Sequence, residues 1–186
     1  MPRAERADAV RNRERLLAAA KAALSTHEKP ALEAVAREAG VGIGTLYRHF
    51  PTREALVEAV YRAELAALCA EAAALAQRHP PAQALRRWMD GYADFVATKR
   101  GMAEALRAVI ATGAIGSPDT RARLADAVRE LLAAGVADCT LREVPAEDVV
   151  AAMAGVVLTT PDREQAGRLL DLVWEGLRPR LTDPAS

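Results

Sequence analysis

Apolar residues recur along nearly the whole chain at intervals of three and four, the period of an amphipathic helix, and no segment alternates with the strand period of two. From about Ala7 to Leu24 the apolar positions are Val10, Leu16, Leu17, Ala20, Ala23 and Leu24, interleaved with Arg11, Arg13, Arg15 and Lys21, which predicts a first amphipathic helix. A short segment opening at Pro30 carries Leu32, Val35, Ala36 and Ala39 on one face and closes at Gly40, where a left-handed C-cap is wanted. Soon afterwards another short run covers Thr45 to Phe50. Two short helices around a tight turn make a helix-turn-helix at about residues 31–50, with small Ala36 permitting a close crossing and Leu46 and Phe50, at i and i+4, packing back on the first helix.

Pro51 then stops the chain and Thr52 caps a new helix, which continues without a breaker to His79-Pro80-Pro81. Beyond it, Leu85, Trp88, Met89, Tyr92, Phe95 and Val96 predict one helix, separated by Gly101 from another through Leu106, Val109 and Ile110. The stretch from Gly113 to Pro118 reads as a loop, and Asp119 to Asp138 as a further helix. Ala146 to Thr160 is apolar nearly all round, which calls for burial on several sides. A final helix follows a cap at Thr159 to Asp162 and carries Leu169, Leu170, Val173, Trp174 and Leu177, ending near Pro179. The prediction is an all-α chain of about nine helices in two parts: residues 1–62, holding the helix-turn-helix, and residues 63–186.

Composition narrows the classes of function. With 186 residues and 51% hydrophobic content the chain can bury a substantial core, yet no apolar run approaches the roughly 20 residues that span a bilayer. The charged opening lacks the apolar stretch of a signal peptide, so a cytoplasmic location with no membrane partner is expected. Cys69 and Cys139 lie far apart with no zinc-like spacing; they read as small buried hydrophobes, with a redox pair as the lesser alternative. His27, His49 and His79 are isolated, and no HExxH, GxSxG or phosphate loop occurs, so no catalytic residue, metal site or cofactor is expected. The net charge of zero conceals an asymmetry. Residues 1–62 carry 11 Lys and Arg against 8 Asp and Glu, and the remainder 14 against 17. An excess this small matters only alongside a motif.

The segment AREAGVGIGTLYRHFPTREAL, residues 36–56, supplies that motif. It closely resembles the DNA-binding segment of TetR-family transcriptional regulators, the likeness extending over about residues 7–62; the rest is similar in size and helix count, with a likeness to the SbtR-type C-terminal domain. The resemblance implies that Tyr47, His49 and Arg53 touch phosphates and that Ile43, Gly44 and Thr45 face base edges, with Arg48 among the donors of the same helix. The helix-turn-helix packing residues are then Ala36, Gly40, Leu46 and Phe50. Elementary chemistry agrees: hydroxyls and cationic donors on one short helix suit a sugar-phosphate backbone, and Ile43 can meet a thymine methyl. A plainer reading also stands, in which Ile43 extends the core, Tyr47 covers the first helix and His49 is an ordinary surface residue. Arg3, Arg6, Arg11 and Arg13 either reach phosphate or form a solvated face. One departure is visible: where relatives begin the second helix with Thr or Ser, this chain has Pro30-Ala31-Leu32 and no hydroxyl.

A single helix-turn-helix reads few base pairs, so a homodimer on a near-palindromic operator is expected. The resemblance places its interface on the last two helices, here Val149, Met153, Val156, Leu170, Val173, Trp174 and Leu177. It also implies repression released by a small-molecule effector, for which Trp88, Tyr92, Phe95, Met102 and Leu106 are candidate contacts or simply core. The alternative is a helix-turn-helix regulator, activator or adaptor, that acts through a protein partner without an inducer.

Overall fold

The computed structural model describes residues 3–26, 30–111, 117–160 and 162–179. Among them are nine α-helices and no strand: α1 (Arg3–Thr26), α2 (Leu32–Glu38), α3 (Ile43–His49), α4 (Arg53–Arg78), α5 (Pro81–Gly101), α6 (Ala103–Ala111), α7 (Ser117–Ala137), α8 (Ala146–Thr159) and α9 (Arg163–Gly176). They form two compact units, Met1–Leu65 with Ala97–Gly116, and Ala66–Val96 with Ser117–Ser186. The described residues 97–111 thus fall in the first of these units. No helix among the described residues is long and apolar enough to cross a membrane.

In the first unit α1 packs on α2 and α2 on α3. The residues recurring at helical spacing meet in one core: Leu16, Ala20 and Leu24 of α1, Val35 and Ala36 of α2, Leu46 of α3, Phe50 beyond it, and Leu56, Val57 and Val60 of α4 are all buried. Helix α2 starts two residues after Pro30, with Ala31 as a cap that makes no side-chain hydrogen bond. Pro30 thus precedes the cap and does not occupy the first helical turn. The other end of α2 is well closed. Val41 N–H donates to the Ala36 carbonyl and Gly40 N–H to that of Arg37, both at 3.0 Å, while Gly40 adopts φ 64°. This double closure uses the left-handed conformation in which glycine carries no penalty. Helix α3 begins at Ile43, two residues earlier than its polar run suggests, because the Gly42 carbonyl accepts from Thr45 and Leu46 N–H at 2.9 and 3.2 Å. Thr52 caps α4 as its position predicts, its hydroxyl accepting from Ala55 N–H at 3.0 Å.

The second unit is built on α7 packed against α8 and α8 against α9. Leu124, Val128, Leu131 and Leu132 are buried, as are Val149, Val150, Met153, Val157 and Leu170. Helix α7 opens at Ser117 and includes Pro118, a residue the first turn tolerates because its N–H would have no helical partner; Gly113 to Gly116 of the expected loop lie outside the described residues. Asp162 caps α9 by accepting from Glu164 and Gln165 N–H at 3.3 and 2.7 Å. Two indoles tie helices together: Trp88 Nε1 donates to the Leu68 carbonyl and Trp174 Nε1 to that of Ala82, each at 2.9 Å. Arg86 pairs with both Asp90 and Asp171 at 3.0 and 2.7 Å, and Arg163 with Asp94 at 3.0 Å, so charge also joins α5 to α9.

The cysteines differ from the expectation of two buried hydrophobes. Cys139 is exposed and adopts φ 58° in the turn after α7, and Cys69 is only half-buried. Burial pushes the Cys69 thiol up, against thiolate formation. The same turn brings Thr140 and Leu141 N–H back to the Gly135 carbonyl at 2.9 and 3.0 Å, and Leu141 folds over Gly135. A Cβ at Gly135 would lie 2.3 Å from Leu141 Cδ1 and 2.6 Å from its Cγ. Gly135→Ala is therefore expected to lower unfolding free energy by about 1–3 kcal/mol, the range for overpacking, in urea denaturation at fixed protein concentration.

Candidate nucleic-acid interface

Helix α3 divides its seven residues by direction. Leu46 is wholly buried, Thr45 and His49 are half-buried, and Ile43, Gly44, Tyr47 and Arg48 face outward. Ile43 is 37% and Tyr47 45% exposed, so each offers part of its side chain to solvent. An apolar side chain and a phenol held in water by a short helix with no acidic residue form a surface able to approach a polyanion. A Cβ at Gly44 would meet nothing within 4 Å, so the backbone lies open there. Arg48 folds along the helix, its Nε donating to the Gly44 carbonyl at 3.3 Å and its Nη2 to Thr45 Oγ1 at 3.2 Å. His49 lies against Phe50, ring centroids 6.1 Å apart.

The arginines around α3 have work within the unit. Arg53 Nη1 donates to the Pro30 carbonyl at 2.8 Å, tying the first turn of α4 to the residue before α2. This contact was not legible from spacing, because 23 residues separate the partners. A guanidinium has five N–H donors, so this one bond is compatible with a phosphate contact by the others. Arg13 lies with its guanidinium carbon 5.5 Å over the Phe50 ring, linking α1 to the end of α3, and Arg11 pairs with Asp8. The side chains of Arg3 and Arg6 lie outside the described residues.

Residues 16–60 match the model of the bacterial regulatory proteins of the tetR family, and residues 80–179 that of the SbtR-like transcriptional regulator C-terminal domain. The chain belongs to the TetR family of transcriptional regulators. Among solved TetR-family structures, a regulator from Streptomyces coelicolor is 48% identical, with 90% of this chain and 99% of that one covered and a TM-score of 0.81. One from Mycobacterium vanbaalenii is 31% identical, covering 94% and 99%, with a TM-score of 0.75. A gamma-butyrolactone receptor, 20% identical over 93% and 91%, shares the fold at a TM-score of 0.58. None of the curated proteins matches the sequence.

The other candidate residues fall as follows. Trp88, Tyr92 and Phe95 are buried in the second unit and form one aromatic run, with centroids 6.2 Å apart for the first pair and 6.5 Å for the second. Met102 and Leu106 are buried in the first unit. Of the residues expected at a dimer interface, Val149, Met153, Leu170 and Leu177 are buried within the chain itself; Val156, Val173 and Trp174 are half-buried. The small and apolar residues that α8 and α9 leave in solvent are different ones: Ala151, Ala152, Gly155 and Leu158, and Leu172 and Gly176. Leu172, outside the predicted apolar stripe of α9, is the most exposed of the large apolar residues described, at 69%.

Arg53→Met is expected to lower unfolding free energy by about 1.5 kcal/mol in urea with no DNA present, the low end for a hydrogen bond from a charged donor. A side chain serving phosphate alone would leave the DNA-free protein unchanged.

Proposed function

We propose that this TetR-family regulator is a homodimeric repressor that places the outward face of α3 from each protomer in successive major grooves of a near-palindromic operator. The observation that carries the reading is the division of α3: one side anchored by Leu46, the other presenting Ile43, Gly44, Tyr47 and Arg48 without an acidic residue. Tyr47, His49 and Arg53 hold phosphates, while Ile43, Gly44 and Thr45 approach base edges. Residues 1–62 act as the DNA-binding part and 63–186 as the effector and dimerisation part. Release by a small molecule is supported by family membership and by the shared fold of a receptor named for gamma-butyrolactone. For the dimer, the supporting observation is Leu158 at 64% and Leu172 at 69% exposure on α8 and α9, helices that pack on each other. Ala151, Gly155 and Leu158 follow at i, i+4 and i+7, and the small residues let a partner helix come close.

Selection of sites from random duplex DNA by the full chain is expected to enrich a two-fold symmetric sequence with half-sites about 34–36 Å apart or a multiple of that. Affinity for that site should fall by about 10³ or more between 50 and 200 mM salt, the loss typical of 6–10 phosphate contacts. Failure to enrich a site, in folded protein, overturns the reading. The double change Leu158→Glu, Leu172→Glu is expected to convert the dimer to a monomer in sedimentation analysis and to abolish operator binding, with helical content retained.

A further inference from the structure

Four residues make up the outward side of α3, and they differ in what they can ask of a base pair. Ile43 has no donor, Gly44 has no side chain, and the Tyr47 hydroxyl is a single group on a rigid ring. Arg48 alone among these four carries a planar fork of donors. It stands at i+4 from Gly44, so the two share a face one turn apart. In the structure the guanidinium lies back across that turn, bound to the Gly44 carbonyl and to Thr45 Oγ1. Both contacts are at 3.2–3.3 Å, long for hydrogen bonds, and neither partner is a carboxylate. The side chain is thus drawn toward the N-terminal turn of α3, the end that contacts base edges when a recognition helix enters the major groove. The missing side chain at Gly44 leaves that turn open, with nothing within 4 Å of where a Cβ would stand.

We infer that Arg48 is a specificity-determining residue that selects guanine, its guanidinium exchanging the two weak contacts on α3 for paired hydrogen bonds to O6 and N7 of one guanine in each half-site. The inference rests on the proposed operator binding and deepens it. A guanidinium fits this pair of acceptors in one plane with a rigid fork, whereas a lysine ammonium reaches the same acceptors as a flexible point charge with less geometric selectivity. The absence of a side chain at Gly44 is then functional, giving the fork access to the floor of the groove.

The test is site selection from random duplex DNA by the full-length protein and by Arg48→Ala and Arg48→Lys, followed by salt titration of affinity on the selected site. Arg48 is exposed and its two contacts stay within α3, so both variants are expected to fold. The expected result is a symmetric site with one dominant G·C pair per half-site. Replacing that pair should cost the natural protein about 5- to 150-fold in affinity; Arg48→Ala should lose the preference at that position while keeping it elsewhere, and Arg48→Lys should keep at most part of it. An unchanged G·C preference in Arg48→Ala overturns the assignment and leaves operator binding intact. Uniform weakening on all DNA, with a shallower salt dependence and rescue by Arg48→Lys, also overturns it and makes Arg48 a phosphate contact. No enrichment by the natural protein removes the operator reading itself, and this inference with it.

Discussion

Gly40, held at φ 64°, sets the direction in which the chain leaves α2, and the outward face of α3 depends on that turn. A side chain in this conformation would be strained, and its Cβ would also stand 3.4 Å from Arg15 Nη1 on α1. Once the turn is made, Leu46 drops into the core with Val35 and Ala36, and Phe50 follows under the Arg13 guanidinium. With one side of a seven-residue helix fixed this firmly, the residues opposite are committed to solvent or to a partner. A short helix has little stability of its own, so its orientation comes from this packing and not from propensity.

The start of α2 shows how a chain can lose one interaction and keep the arrangement. No hydroxyl stands at its cap, and Ala31 offers only its backbone carbonyl. The residue just before it is held from elsewhere, by Arg53 at the opening of α4. A tie of this kind binds the beginning of the helix-turn-helix to the helix that follows it. The same side chain stands at the edge of the surface proposed to meet phosphate, so its structural and binding roles draw on different donors of one guanidinium.

In the second unit, a helix as apolar as α8 has to divide its surface between its own chain and something else. Its Val149, Val150, Met153 and Val157 go inward with Leu170, while Leu158 stays in water. Large side chains left exposed on α8 and on its neighbour α9 constitute an apolar surface that a second copy of the chain can cover. The ion pairs of Arg86 and Arg163 and the Trp174 hydrogen bond fasten α9 to α5, so that surface is presented by a braced helix.

Much of this protein is determined locally and is therefore legible in the sequence. The helical period, the breaks at Gly101 and Pro145, the caps at Thr52 and Asp162 and the left-handed Gly40 all depend on neighbours within a few residues, and the motif from Ala36 to Leu56 carries the family. Tertiary structure decided what depends on distant partners. Ile43 and Leu46 both look like core by spacing, and only the packing of α2 against α3 turns one inward and the other out. Arg53 meets Pro30 across 23 residues, and Leu141 closes over Gly135 through a turn whose path the pattern of apolar residues does not encode. Which apolar residues of α8 and α9 remain exposed was likewise decided by the fold, because periodicity gives the width of an apolar stripe but not which part of it the chain itself will cover.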